Sequence, residues 1–182
     1  MIKALLSHVR VDLVVKSDSV TIVAKDVLTK HSIDTNKVTF HRMQGERYWI
    51  RDHGATFLTN EKGELQVADF GWNLYGIEGW LLKKYNNSDS ARKYYQGYLD
   101  PGTGKVDSLM AVATDASIIQ TQMVVEGGAI EVNGKGTLIL NEATMRQRNP
   151  SLTRETMEAE MKRVMRVTNI IWLKSGLAED EH

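Results

Sequence analysis

Asp52 and Glu126 have the clearest potential for chemistry, because both occur in one repeated pattern. The sequences Asp-His-Gly-Ala and Glu-Gly-Gly-Ala each lead into a strand-like segment, a turn containing Lys-Gly and a second strand-like segment. The two acids lie 74 positions apart. Because repeated units place their equivalent residues alike, the pattern predicts that two carboxylates face one site. The glycine after each acid would let the backbone approach closely, and the following strand would keep the position rigid.

Two carboxylates in one cleft could act as a general acid and base, clamp a cation, or coordinate a hard metal ion. The two residues alone leave these three alternatives open. A purely structural alternative is that Asp52 pairs with Arg47 or Arg51, while Glu126 caps a turn through the N–H groups of the two glycines that follow it. The repeated context favours a functional role over this alternative.

Other residue types restrict the chemistry further. The 182 residues contain no cysteine, which excludes disulfides, thiolate metal sites and a cysteine nucleophile within them. The five histidines show no metal-ligand spacing, and only His53, beside Asp52, is a candidate for the site. No Gly-x-Ser-x-Gly motif is present, and the segment Gly-Thr-Gly-Lys lacks the spacing of a phosphate-binding loop.

Aromatic side chains could supply a platform for a sugar ring, as a glycosidase would need beside paired carboxylates. In most proteins such residues fill the core instead. The candidates are Trp49, Trp72, Tyr75 and Trp80.

The charge balance and the hydropathy of the chain restrict the class of protein to which it can belong. Lys and Arg number 23 and Asp and Glu also number 23, so no overall field attracts nucleic acid or anionic lipid. The apolar runs are shorter than the roughly 18–20 residues that span a bilayer, and residues 1–10 lack the core of a signal peptide. We therefore expect a cytoplasmic protein with no nucleic-acid or membrane partner.

Hydrophobic periodicity predicts a mixed α/β fold. Strands are expected at 11–15, 38–42, 56–59, 65–70, 118–125 and 169–173, the last of them buried, and helices at 17–30, from 88 to 98, at 107–116 and after Thr153. Asn133-Gly134 predicts a tight type I′ turn in the second hairpin. The apolar residues after Thr153, from Met157 to Met165, predict a helix with one buried face.

The repeat predicts one partial domain built of two modules, at approximately 1–110 and 111–182. Modules of this size are expected to pack around an axis, because one module cannot bury both of its faces alone. Unpaired module edges would then favour association, either as a homo-oligomer or with further modules.

Four segments carry a distinctive combination of motifs. They are ERYWIRDHGATFLTN (46–60), ADFGWNLYG (68–76), VEGGAIEVNGKGTLILNEATMRQRNP (125–150) and IIWLKSGLAEDE (170–181). Together these segments are similar to the agmatine deiminase and bacterial peptidylarginine deiminase family. The resemblance implies a pentein-type α/β propeller of five pseudo-symmetric ββαβ modules, only part of which this chain would form. It also implies a hydrolase that converts the guanidinium of agmatine, arginine or peptidyl-arginine to a ureido product and ammonia.

By the matching motifs, Asp52 and Glu126 would be the catalytic and substrate-binding acids. Asp52 would clamp two guanidinium nitrogens, Glu126 would contact the substrate or hold the catalytic histidine, and Trp49 would line the pocket. The resemblance implies no metal and no organic cofactor. Its partner would be a small-molecule or peptide guanidinium substrate.

The chain departs from the family pattern in two respects. The family's cysteine nucleophile and its Gly-His-x-Asp segment have no counterpart in these 182 residues. The chain is therefore expected to correspond to about half of the family's domain and to be inactive alone. Two alternatives remain open, namely an amidinotransferase on the same fold and a non-catalytic module that binds guanidinium groups.

Overall fold

The computed structural model describes residues 1–43, 49–86, 88–98 and 102–176. The chain forms two compact units, Met1–Glu46 and Arg47–His182. In the first unit, the elements are α1 (Ile2–Leu5), β1 (Val11–Val15), α2 (Asp18–Lys30) and β2 (Val38–Arg42). The two strands pair in parallel, and Ser17 caps α2 by accepting a hydrogen bond from the Val20 N–H. Both predicted strands and the predicted helix of this unit are confirmed.

Within its described residues, the second unit contains two sheets with the same topology. In chain order its elements are α3 (Ile50–His53), β3 (Thr56–Thr59), β4 (Leu65–Gly71), α4 (Ile77–Lys84), α5 (Asp89–Tyr98), α6 (Val106–Ala113), β5 (Ser117–Val124), β6 (Ile130–Val132), β7 (Thr137–Asn141), α7 (Glu142–Arg148), α8 (Arg154–Met165) and β8 (Asn169–Leu173). The strand orders are β3-β4-β5 and β6-β7-β8. Each sheet is an antiparallel hairpin joined by a parallel third strand. The repeat seen in the sequence is thus also a repeat of structure.

The two hairpin turns are stabilised in the same way. The Asn60 side-chain oxygen accepts from the N–H groups two and four residues later, and Asn133 repeats both bonds. Gly63 and Gly136, three residues after each Asn, have φ of 77° and 87°. The predicted type I′ turn at Asn133-Gly134 is wrong, because Asn133 does not have the positive φ that this turn requires. Its side chain instead stabilises a wider loop of four residues between β6 and β7.

Helix α8 packs its apolar face into a core shared by both sheets. Thr153 caps the helix, as its side chain accepts a hydrogen bond from the Thr156 N–H. The core includes Met157, Met161 and Val164 of α8, Leu138 and Leu140 of β7, and Ala68 and Ile119 of the first sheet. The predicted buried face of this helix is confirmed.

Strand β8 is only half-buried, which corrects the expectation of a buried strand. Ile171 and Leu173 are 45% and 50% exposed, whereas Ile170 and Trp172 pack against the core. The reason is that one face of the strand contacts the α8 core and the other does not. Strand β5 pairs with β4 and so belongs to the sheet of β3 and β4. The module boundary predicted near residue 110 stays a prediction.

No helix within the described segments is long and apolar enough to cross a membrane.

Val164 offers a test of the shared core. Replacing this fully buried side chain by Ala should lower the free energy of unfolding by about 2 kcal/mol, because two methyl groups leave a packed core. The matched control is Val112→Ala on α6, where the side chain is 76% exposed and the change should stay within about 0.5 kcal/mol. Denaturant unfolding of both variants measures the difference, and equal losses would contradict the assigned core.

Candidate functional site

Asp52 lies in α3, where its carboxylate contacts two other segments. The Tyr75 hydroxyl donates a hydrogen bond of 2.6 Å to Oδ2. On the other side, Gly128 is so close that a Cβ atom there would stand 2.5 Å from Asp52 Oδ1. A Cβ at Gly127 would stand 2.1 Å from the Arg51 carbonyl oxygen. The two glycines after Glu126 therefore allow the acid-bearing segments of both repeats to meet.

Arg51 does not pair with Asp52. Its Nε donates to the Gly127 carbonyl at 3.1 Å, and its Nη2 donates to the Ile130 carbonyl at 3.3 Å. The suggested pairing of these neighbours is wrong, because the arginine reaches across to the second repeat. The other suggested partner, Arg47, lies outside the described residues.

Glu126 forms a buried ion pair with Arg148. The Arg148 Nε donates to both carboxylate oxygens at 3.1 and 3.0 Å, and Nη2 donates to Oε1 at 2.7 Å. Glu126 is 6% exposed and Arg148 is 4% exposed. The suggested turn cap is wrong, because the Glu126 side chain accepts no hydrogen bond from the turn that follows it. The sequence did not single out Arg148, which lies at the end of α7 and reaches Glu126 only in the folded protein.

A small cleft opens beside Asp52. Its walls include Asp52, His53, Trp72, Asp107 and Gly127. The Trp72 ring stands edge-on to His53, with 5.6 Å between ring centroids, and edge-on to Tyr75, at 4.8 Å. The described lining residues include the acids Asp52 and Asp107 and no Lys or Arg, so the charge of the cleft favours a cation over an anion.

The other predicted site residues lie apart from the walls of this cleft. Trp49 is 58% exposed and does not belong to the lining. Glu126 does not belong to the lining, although Val125 and Gly127 on either side of it do. Trp80 packs against the cluster around Leu81 and carries the Lys84 ammonium 4.3 Å above its ring. Among these four aromatic residues, Trp72 and Tyr75 stand edge-on to each other, while Trp49 is exposed away from the lining and Trp80 packs against the cluster around Leu81.

Asp107 is a buried acid on α6, within a predicted helix but outside the predicted site. It is 5% exposed and accepts a 2.8 Å hydrogen bond from the Ser108 N–H. Burial raises the pKa of Asp107 to about 7, and the neighbouring Asp69 carboxylate adds to the increase against the effect of that hydrogen bond. A signal did exist, because Asp107 precedes the fully buried Ala111 by four residues and so shares its helix face.

In the segments that the structure describes, no three acidic or histidine side chains gather at a spacing that could hold a metal ion.

The raised pKa of Asp107 predicts a pH dependence of stability. Between its unfolded pKa near 4 and its folded pKa of about 7, the folded state binds the proton more tightly. The contribution of Asp107 to the free energy of unfolding is therefore fully present below about pH 4, and it is lost as the pH rises through about 7. Asp107→Asn should remove this loss, so that the variant exceeds the parent by about 2–4 kcal/mol at pH 8 and matches it near pH 4.

Thermal or denaturant unfolding at pH 4 to 8 measures this difference. The control is Asp26→Asn, which changes a carboxylate that is 60% exposed and pairs with Lys30. Parallel curves for the parent and Asp107→Asn would contradict the assignment.

Comparison with known proteins identifies relatives over most of the chain. Residues 1–182 match the model of the Porphyromonas-type peptidyl-arginine deiminase family. The agmatine deiminase of Pseudomonas syringae pv. tomato (strain ATCC BAA-871 / DC3000) is 34% identical over 152 residues, covering 82% of this chain and 38% of the relative. That of Ectopseudomonas mendocina (strain ymp) is 33% identical over 153 residues, with the same coverage. The chain thus spans about two-fifths of the length of these curated relatives.

Solved structures show the same fold. The agmatine deiminase of Enterococcus faecalis superposes with a TM-score of 0.71 at 21% identity, covering 94% of this chain and 42% of that one. A C. jejuni agmatine deiminase with substrate bound superposes with a TM-score of 0.69 at 21% identity, covering 96% of this chain and 45% of that one. The family match over the whole length and the identity to the curated relatives confirm the resemblance seen in the sequence motifs. The chain belongs to the Porphyromonas-type peptidyl-arginine deiminase family.

Proposed function

We propose that this chain forms the guanidinium-binding part of a guanidine deiminase, with agmatine as its first candidate substrate. The observation that carries the proposal is the position of the Asp52 carboxylate, on the wall of an acidic cleft and already oriented by Tyr75. A guanidinium group is planar and remains protonated in proteins, so a carboxylate that accepts forked hydrogen bonds recognises it well. A carboxylate has about four acceptor positions, and the hydroxyl of Tyr75 uses one of them.

The two acids of the repeat would have different roles. Arg148 already compensates the charge of Glu126, so a substrate cation gains less there than at Asp52. We assign the forked contact to Asp52, and to Glu126 a contact with the substrate's edge or with the catalytic histidine of the family. Trp49 would complete the pocket from its exposed position beside α3.

The reaction that the resemblance implies begins with a cysteine thiolate attacking the guanidinium carbon. Ammonia leaves, and water then hydrolyses the covalent intermediate to a ureido product. These 182 residues supply no thiol. We therefore propose that the chain alone binds the substrate without converting it, which leaves a purely binding role as the second candidate.

A pentein-type propeller is the architecture that we propose for the complete domain. Two consecutive ββαβ repeats support it, because such units stack their faces on one another. By strand pairing, Leu173 of β8 holds the position in the second sheet that Ile119 of β5 holds in the first. Ile119 is 7% exposed in the core that includes α8, whereas Leu173 is 50% exposed. A further module packed on that face would bury it as α8 buries the first sheet.

Isothermal titration calorimetry with agmatine tests the proposed site. The 182-residue chain should bind agmatine, and Asp52→Asn should weaken the affinity at least tenfold, since the guanidinium loses its charged partner. Asp26→Asn is the control, because that carboxylate lies in the first unit in an exposed pair with Lys30. A colorimetric assay of the same samples should detect no ureido product. Equal affinity in Asp52→Asn and the parent would overturn the assignment, and turnover by this chain would overturn the proposed division of roles.

A further inference from the structure

Residues 74–76 form a strained loop between the two acids. Leu74, Tyr75 and Gly76 have φ of 55°, 61° and 67°, three consecutive residues in the left-handed region. For Leu and Tyr this conformation is unfavourable, because the Cβ atom crowds the following carbonyl oxygen. Strain of this kind persists only where surrounding contacts impose it, and it is common at functional sites.

Contacts at both ends of the loop impose the conformation. The Leu74 side chain is 4% exposed and packs with Leu81 and Tyr95. The Gly76 N–H donates to the side-chain oxygen of Asn73 at 2.9 Å. The Trp72 ring, on the wall of the cleft, packs edge-on against Tyr75.

One side of the loop reaches the first acid. Tyr75 has a left-handed backbone, and its hydroxyl lies 2.6 Å from Asp52 Oδ2. A phenol that donates to one carboxylate oxygen restricts the rotation of the carboxylate and leaves its other acceptor positions free for a ligand.

The opposite side of the loop reaches the partner of the second acid. A Cβ atom at Gly76 would stand 3.2 Å from Arg148 Nη1 and 3.5 Å from its Cδ. Arg148 cannot move away without disturbing its three hydrogen bonds to Glu126. The absence of a side chain at Gly76 therefore leaves room for the buried ion pair.

We infer that residues 74–76 are a positioning element for both acids, in which Tyr75 orients Asp52 and Gly76 allows Arg148 to hold Glu126. The consequence for ligand affinity rests on the proposed function. The positioning itself does not, because it acts on the two carboxylates in the free protein. A change within this loop should reach both acids, although they lie 74 residues apart in the chain.

The first test is carbon NMR of the side-chain carboxyl groups of Asp52 and Glu126, without ligand. Gly76→Ala should shift both signals, since the added methyl group meets Arg148 and disturbs the loop that carries Tyr75. The matched control is Gly63→Ala. Gly63 also has a left-handed φ, of 77°, but no atom lies within 4 Å of its added Cβ, so both carboxyl signals should stay unchanged.

The second test separates the two contacts. Tyr75→Phe removes only the hydroxyl, and it should shift the Asp52 carbon, leave the Glu126 carbon in place and weaken agmatine binding about fivefold, as expected for one lost hydrogen bond. Tyr85→Phe, at a side chain that is 51% exposed on the end of α4, should change none of these. A merely structural role for Tyr75 would lower stability without a selective shift of Asp52.

A Gly76→Ala variant that shifts only one carboxyl carbon, or neither, would overturn the inference. If that variant does not fold, Gly76→Asn introduces the same Cβ atom in a residue that tolerates the left-handed backbone, with Gly63→Asn as its control. Absence of agmatine binding to the parent chain would contradict the proposed function alone, since the carbon shifts still decide the role of the loop.

Discussion

The candidate site depends on one close contact between the two repeats, where the backbone of Gly127 and Gly128 lies against Arg51 and Asp52. A Cβ atom at either glycine would overlap an oxygen atom of the first repeat, at 2.1 and 2.5 Å. The hydrogen bonds from Arg51 to the carbonyl groups of Gly127 and Ile130 hold the two segments at this distance. The repeat is therefore also an arrangement in three dimensions, because each copy contributes an acid to the same small region.

The repeated acids have diverged in their electrostatic surroundings. Glu126 is buried with a guanidinium from its own protein, in an ion pair that would be costly to break because either partner alone would be an uncompensated buried charge. Asp52 is held by a neutral phenol and faces a cleft whose described walls carry no cation. The structure thus contains an internal example of the pairing that we propose for the substrate. Asp107 adds a third acid to the cleft region, and burial raises its pKa to about 7.

The sequence predicted most of the elements, because periodicity and turn residues are local signals. The cap at Thr153 and both hairpins follow from such signals. The repeat also drew attention to Asp52 and Glu126, whose functional roles stay a prediction. The partners of the acids could not be predicted in the same way. Tyr75 lies 23 residues from Asp52 and Arg148 lies 22 residues from Glu126, so only the packed fold brings each pair together. The type I′ turn was wrong because a side chain of Asn133 competed with the local backbone preference.

The most direct test of the central contact is the agmatine affinity of Gly128→Ala, measured by calorimetry. We expect at least a tenfold loss, because the new methyl group would occupy the position beside Asp52 Oδ1 and displace the carboxylate. Gly79→Ala on α4, where no atom lies within 4 Å of the added Cβ, should bind agmatine as the parent chain does. An unchanged affinity in folded Gly128→Ala would contradict the claim that the contact between the repeats positions Asp52 for a guanidinium group.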